Sequence, residues 1–205
     1  KLPFVKAGLP GVFVTPAVTP YKKRKVRILN GAHTAFVPGS WVAGFDIVRD
    51  CMHDETIRGF MNTMLYDEVI PTLAADLDVE DCKAFAAAVE NRFDNPFIDH
   101  ALLSICLNST AKWRARDLPT LKDYVAETGN LPKCLATSLA TLISFYTQEL
   151  VSREGDGLHL RRSDGTEYTA QDDAFVLDFY AAHAGTDDAQ LVHDVLTNEQ
   201  MWGED

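Results

Sequence analysis

The chain lacks the features that would place it in a membrane, outside the cell or around a metal ion. Among its 205 residues no apolar run reaches the roughly 18 residues that a bilayer-spanning helix needs, and no basic and apolar leader suggests export. The four cysteines are spaced neither like zinc ligands nor like a small disulfide framework. They are Cys51, Cys82, Cys106 and Cys134. These absences predict a soluble, cytoplasmic protein with reduced, buried thiols, no membrane partner and no metal.

Low-complexity linkers and repeats of fixed period are also missing, and so is any Gly-x-Gly-x-x-Gly sequence after a strand. Such a sequence forms the phosphate-binding turn of a dinucleotide-binding domain, so this kind of domain is not expected here. With 46% hydrophobic residues, a chain of this length can bury one sizeable core. We therefore expect a single domain over residues 1–205.

Acidic residues are absent from the first 45 positions, which hold seven Lys or Arg. Because the whole chain carries −11 and this segment +7, the remaining 160 residues carry −18. The basic run at 22–27 would attract a small carboxylate ligand or the phosphates of a dinucleotide. Alternatively, it is a solvated helix start that pairs with the acidic remainder. Nucleic acid is a poor partner, since interleaved stacking aromatics are missing and the rest of the surface would repel phosphate.

The apolar pattern predicts a mainly α domain. Residues 1–19, with several prolines around a short apolar run, predict an extended lead-in or an edge strand. A helix is expected after Pro20, with Pro38-Gly39 as its stop. Behind a capping Asp54, apolar residues recur at helical spacing and predict a core-facing stripe. The stripe consists of Ile57, Phe60, Met61, Met64 and Leu65.

Further helices are expected at 79–93, 97–113, 118–128, 132–152, 171–184 and 187–198. The run at 158–170 breaks this pattern, because two alternating segments flank Asp164-Gly165. It predicts a small, peripheral β-hairpin. The fold class is therefore a multi-helical domain with minor β-structure.

Lys25, Asn30 and His33 place an amine, an amide and an imidazole on one short segment. In an α-helix, at about 100° per residue, these side chains lie near 0°, 140° and 80° around the axis and can converge on one small ligand. Such a trio suits carbonyl chemistry: the amide and imidazole donate hydrogen bonds to the oxygen, and the lysine exchanges a proton with it. The alternative is a solvated lysine, a helix-ending Asn-Gly pair and a histidine at the edge of the core.

A second polar cluster lies at 91–96, followed by His100. Asn95-Pro96 favours an extended or turned residue before a new helix, so Asn95 is well placed to cap that helix and Arg92 to project beside it. The alternative is a capped helix junction with a solvated arginine.

Four segments together resemble the polyol-specific long-chain dehydrogenases, the mannitol dehydrogenase family. They are KVRILNGAHT at 25–34, NRFDNPFIDHALLSICLNSTAKWRARDLPTL at 91–121, LPKCLATSLATLISFY at 131–146 and MWGED at 201–205. The family signature is Lys, four residues, Asn, two residues, His, and Lys25, Asn30 and His33 match it without a gap. The resemblance implies the carboxy-terminal helical domain, of the mannitol dehydrogenase and 6-phosphogluconate dehydrogenase type, of a longer enzyme. An amino-terminal Rossmann domain, absent here, would bind NAD, and residues 1–19 would lead out of it.

The resemblance also assigns roles. Lys25 is the catalytic acid or base, Asn30 and His33 polarise the carbonyl, and Arg92 and Asn95 belong to the substrate pocket. A lysine that acts as a base needs a desolvated amine, so we expect burial and cationic neighbours around it. Lys112 also fits the family pattern, but its chemistry does not decide between a role in the pocket and a position on the surface.

His100 distinguishes two branches of the family. The mannitol-like branch usually has an acidic residue at this position, whereas the hexuronate branch resembles this chain in having histidine, which can donate to a carboxylate. The expected substrates are therefore a keto-hexuronate and its aldonate. The alternatives are a mannitol-, fructuronate- or sugar-phosphate-specific member of the family, or a helical interaction module without catalytic activity.

Overall fold

The computed structural model describes residues 3–9, 12 and 14–203. The α-helices are α1 (Pro3–Lys6), α2 (Thr19–Arg24), α3 (Gly31–Val42), α4 (Val48–His53), α5 (Glu55–Thr63), α6 (Val79–Phe93), α7 (Leu102–Ile105), α8 (Ser109–Arg116), α9 (Leu118–Thr128), α10 (Lys133–Tyr146), α11 (Ala174–Ala182), α12 (Asp188–Leu196) and α13 (Glu199–Trp202). Two π segments, Lys25–Asn30 and Met64–Val69, and a 3₁₀ turn, Pro71–Leu73, complete the helical structure. The strands are β1 (Glu149–Glu154), β2 (Gly157–Arg161) and β3 (Glu167–Ala170).

The predicted helix after Pro20 is confirmed, but its expected stop is wrong. Helix α2, the first π segment and α3 follow one another without a break, and α3 passes through Pro38 to end at Val42. Pro38 removes one backbone hydrogen bond. Most of α3 is buried, including Ala32, Ala35 and Val37, so tertiary packing outweighs this local cost.

Helix α3 forms the centre of the fold together with α10, and the two are in extensive contact. A Cβ atom at Gly39 would lie 2.9 Å from the Cβ of Thr141, so the glycine allows the two helices to approach closely. Large buried side chains such as Trp113 and Phe145 surround this pair. The central position of the 131–146 segment follows from its apolar face.

The apolar stripe behind Asp54 is confirmed. The Asp54 side chain accepts hydrogen bonds from the backbone N–H groups of the first turn of α5, and Met61, Met64 and Leu65 are fully buried. The following π segment carries Glu68, a buried carboxylate. It accepts the backbone N–H of Cys134 at 2.7 Å and that of Leu135 at 2.9 Å, and so binds the start of α10.

The predicted helix at 97–113 is wrong. Asn95 Oδ1 accepts the N–H of Phe97 at 2.9 Å and closes a turn, instead of capping a helix. Ala101 then pairs with Ile47 in an isolated bridge. The helical part consists only of α7 and α8, separated by the left-handed Asn108. By contrast, α6, α9 and α12 lie close to their predicted ranges.

The carboxy-terminal β-structure is larger than expected. The predicted helix 132–152 ends at Tyr146, and β1 forms a three-stranded antiparallel sheet of order β1-β2-β3. The hairpin at 158–170 is confirmed as β2 and β3, but it is not peripheral. Leu158, Leu160 and Tyr168 are buried, and the buried Arg162 lies over Trp41 and donates to its carbonyl. The mainly α fold class is confirmed.

The lead-in contains one helical turn, α1, and no strand among the described residues of 3–18. Residues 1, 2, 10, 11 and 13, on which part of the lead-in prediction falls, lie outside the described part. No helix in the described ranges is long and apolar enough to cross a membrane. The four cysteines are free thiols, and three of them are buried. Over those same ranges, no group of three metal-binding side chains is arranged to hold an ion.

Candidate active site

The trio lies on a π segment and the start of α3. Lys25 begins the segment, Asn30 ends it, and His33 follows in the first turn of α3. The Gly31 N–H bonds to the carbonyl of Val26, five residues back. The angles expected from α-helical spacing do not hold across this segment, because a π turn contains more residues. Single π turns occur frequently at functional sites.

His33 is held by two aromatic rings. Its ring stacks on Phe93, with centroids 4.0 Å apart and 17° between planes, and meets His100 edge-on at 5.5 Å. Burial lowers the pKa of His33 to about 3, and the positive charges of His100, Arg116 and Arg92 act in the same direction. The imidazole is therefore neutral at physiological pH and has one N–H to donate.

Two polar atoms of the trio are left without partners. His33 Nε2 and Asn30 Oδ1 are buried and make no hydrogen bond within the described part of the chain. An unpaired buried polar atom costs roughly 1 to 3 kcal/mol, so native proteins seldom keep one without a reason. A ligand that supplies the missing partners would remove this cost.

A cavity of about 320 Å³ opens beside His33. It is lined by Leu29, His33, Val48, Arg92, Phe93, Asn95, Ile98 and His100. The fold thus joins the helix that carries His33 to the second polar cluster, which lies some 60 positions later in the sequence. Four predicted site residues line this cavity, whereas Lys25 and Asn30 are not among its lining residues.

Lys25 is exposed, so the described part of this chain does not by itself supply the burial expected around its amine. Its cationic neighbours are neutralised: Lys23 pairs with Asp76 at 2.6 Å, Arg24 with Asp81, and Arg27 with Asp123 at 2.6 Å. For these three residues the pairing interpretation of the basic run is confirmed. Lys22 and Lys25 form no ion pair with any described residue.

The loop after α6 presents the cavity rim. Arg49 donates to the carbonyl of Pro96 at 3.0 Å and pairs with Asp99 at 2.6 Å, and these bonds fix the loop's shape. Arg92 and His100 are exposed on this rim. Neither forms an ion pair with the described residues, and so both can receive an anion.

Two further cations lie near His33: Lys112, which fits the family pattern without an assigned role, and Arg116, which the sequence reasoning missed. Arg116 donates to Thr34 Oγ1 at 3.0 Å and to the Asn30 carbonyl at 3.5 Å. Lys112 donates to the carbonyl of Ile105 at 2.8 Å, and burial lowers its pKa. Both charges act on His33. Lys112 and Arg116 are four residues apart and so lie on one face of α8. This spacing is the sequence signal that could have identified them as a pair.

Comparisons with known proteins identify the family of the chain. The family profile described as "Mannitol dehydrogenase C-terminal domain" matches residues 17–205. The chain belongs to the mannitol dehydrogenase family. The altronate oxidoreductase of Yersinia enterocolitica is 40% identical over 200 residues, which cover 95% of this chain and 38% of that protein. The altronate oxidoreductase of Bacteroides thetaiotaomicron is 39% identical over 206 residues, covering 100% of this chain and 40% of that protein.

Two solved structures share the fold of this family member. One is a Pseudomonas fluorescens mannitol 2-dehydrogenase in ternary complex with NAD and D-mannitol, with a TM-score of 0.77, 24% identity, and coverage of 94% of this chain and 36% of that one. The other is a substrate-free D-sorbitol dehydrogenase, with a TM-score of 0.74, 20% identity, and coverage of 98% and 40%. The chain thus spans about two fifths of the curated relatives it matches.

Proposed function

We propose that residues 1–205 form the substrate-binding and catalytic domain of an NAD-dependent oxidoreductase that interconverts tagaturonate and altronate. One observation carries the choice of a sugar acid. Arg92 lines the cavity, and the positive charges of Arg92, Lys112 and Arg116 all act on the neutral His33. None of the three forms an ion pair with a described carboxylate, although Asp172 and Asp117 act on Lys112 and Arg116 from a longer distance. In a chain with net charge −11, cations left unpaired around a cavity favour an anionic ligand. A neutral polyol would leave these charges unpaired.

The trio would carry the proton and polarise the carbonyl. In the reducing direction, Asn30 and His33 donate hydrogen bonds to the ketone oxygen, and Lys25 delivers the proton to it. Because His33 stays neutral, it can donate its N–H without competing with Lys25 as a proton source. In oxidation the steps reverse, and Lys25 takes the proton from the hydroxyl group.

Bound NAD supplies or accepts the hydride. The sequence has no phosphate-binding turn for it, so an amino-terminal Rossmann domain outside this chain would hold the dinucleotide. The exposure of Lys25 fits this division, since that residue lies open to a second domain. Closure of the two domains would desolvate the amine and leave the Asn30 carboxamide, whose NH₂ group is the donor, and His33 Nε2 facing the substrate.

A competition assay on the intact enzyme tests the proposal. With NADH, the enzyme is offered tagaturonate, fructuronate, fructose and fructose 6-phosphate at equal concentrations, and kcat/KM is compared. We expect the kcat/KM for tagaturonate to be at least about tenfold higher than that for fructose, because one charged hydrogen bond to the carboxylate contributes about this factor. A preference for fructose or the phosphate would move the protein to another branch of the family. No turnover of any of the four would favour a module without catalytic activity.

A further inference from the structure

Asp117 is a buried carboxyl group to which the proposed mechanism assigns no role. It lies between α8 and α9, where an aspartate usually caps the following helix, yet its side chain makes no capping hydrogen bond. The residue is 1% exposed, and Oδ2 has no hydrogen-bond partner among the described residues. Burial raises the pKa of Asp117 well above the usual range, against the opposing charges of Arg116 and Arg27. The site therefore favours the neutral, protonated form.

The Asp117 carboxyl group rests on the segment that carries the trio. A Cβ atom at Gly31 would lie 2.7 Å from Asp117 Oδ1, closer than Cβ atoms come to other atoms. Gly31 directly follows Asn30, and its N–H makes the bond to Val26 that characterises the π turn. The lack of a side chain at position 31 thus lets the carboxyl group contact the backbone next to Asn30.

Arg116, the residue before Asp117, contacts the same Asn30–Gly31 peptide at its carbonyl oxygen. Arg116 reaches the Asn30 carbonyl and the hydroxyl of Thr34, and that hydroxyl also donates to the Asn30 carbonyl at 2.9 Å. The junction between α8 and α9 therefore contacts the Asn30–Gly31 peptide at two places, through adjacent side chains. Neither contact reaches the cavity itself, since neither Arg116 nor Asp117 lines it.

We propose that Asp117, together with Arg116, is a positioning residue that holds the Asn30–Gly31 peptide in its π conformation and so aims the Asn30 carboxamide at the substrate carbonyl. This role rests on the proposed function. A π turn is rare and persists where surrounding contacts maintain it. Without the carboxyl group beside Gly31, the segment can relax toward an α-helix, which rotates Asn30 relative to Lys25. A misplacement of about 1 Å can lower a rate by on the order of a hundredfold.

The test uses the intact enzyme and whichever ketose the wild type reduces, so that a wrong substrate assignment is recognised separately from a wrong role for Asp117. Asp117→Ala empties the space beside Gly31, whereas Asp117→Asn keeps its shape without charge. We expect Asp117→Ala to lower kcat by about ten- to a hundredfold with little change in the KM for NADH, and Asp117→Asn to retain most of kcat. Thr120→Ala, at a buried position in the first turn of α9, is the matched control and should retain kcat.

Variants at position 31 test the same contact from its other side, and Gly31→Ala alone covers the case in which Asp117→Ala does not fold. Gly31→Ala places a methyl group against the carboxyl group and should lower kcat, and the double variant Gly31→Ala/Asp117→Ala removes the clash and should recover part of the loss. Equal losses in Asp117→Asn and Asp117→Ala, a kcat of Asp117→Ala within about twofold of wild type, or losses that simply multiply in the double variant would each overturn the proposal.

Discussion

The His33 ring stacks on Phe93 at a centroid distance of 4.0 Å, and this contact joins the two polar clusters of the chain. Phe93 is the last residue of α6, and His33 lies in the first turn of α3. Because Arg92 and Asn95 flank Phe93 in sequence, the stack sets the distance between His33 and the residues of the cavity rim. The geometry of the site therefore depends on a side chain with no polar atom.

Replacing Phe93 tests this dependence. Phe93→Leu keeps most of the buried volume and should cost less than about 1.5 kcal/mol of unfolding free energy. It removes the flat surface under His33, so we expect kcat of the intact enzyme to fall by about tenfold. Phe85→Leu, a partly buried aromatic on the same helix, is the control. Steady-state rates and urea unfolding of both variants check the prediction, and equal rates in the two would contradict it.

Lys25→Ala should lower kcat of the intact enzyme by a factor on the order of a hundred to ten thousand, because a general acid or base is lost. The affinity for NADH should change much less. Lys22→Ala removes another exposed lysine of the same basic run, one that forms no ion pair with a described residue, and should leave kcat nearly unchanged. Steady-state kinetics with varied NADH separate the two effects. A near-normal rate for Lys25→Ala would remove the residue from the mechanism.

The low pKa of His33 predicts a pH dependence of stability. The folded pKa is about 3 and the unfolded value is near 6.5, so the unfolded state binds more protons between these values. The contribution of His33 is therefore fully present above pH 6.5 and decreases as pH falls toward 3. At pH 4.5 the loss should be at most about 3 kcal/mol.

Urea unfolding of the 205-residue chain at pH 7 and pH 4.5 measures this loss. His33→Gln should lose less unfolding free energy between the two values than the wild type does, since glutamine does not titrate. His193→Gln, at an exposed position, should behave like the wild type. Parallel pH profiles of wild type and His33→Gln would argue against a buried neutral imidazole.

The 205-residue chain by itself should bind no NADH at micromolar concentration, because its sequence contains no phosphate-binding turn. A fluorescence titration with NADH measures this directly, and the intact enzyme is the positive control. Micromolar binding to the chain alone would contradict the division into two domains.

The sequence allowed the helical fold class and the cavity to be predicted for identifiable reasons. The apolar spacing of α5 and the turn residues Asp164-Gly165 are local signals that the folded chain preserves. The expectation that His33 lies near the cluster of Arg92, Asn95 and His100 came from the family resemblance. Local sequence patterns cannot show that two segments so far apart in sequence are close in space. Their shared cavity is a property of tertiary packing.

Other features had no readable signal. A π turn at 25–30 has the same apolar pattern as an α-helix, so the relative angles of Lys25 and Asn30 could not be derived. Strand β1 follows closely after α10, and its charged residues obscure the change from helical to alternating hydrophobic spacing. Asp117, just before Leu-Pro, has the sequence pattern of a helix cap, and only the fold shows that it contacts Gly31 instead.

His100 offers the sharpest test of the substrate. It lies on the cavity rim with Arg92, and a charged hydrogen bond from such a donor to a carboxylate contributes on the order of 1.5 to 3 kcal/mol. His100→Asp should therefore cut kcat/KM on tagaturonate by at least about tenfold while costing much less on fructose, because an aspartate repels only the charged substrate. His193→Asp, at an exposed position outside the cavity lining, adds the same charge and should leave the preference unchanged. Paired steady-state rates on the two ketoses give the answer: equal losses on both would show that His100 does not sense the carboxylate.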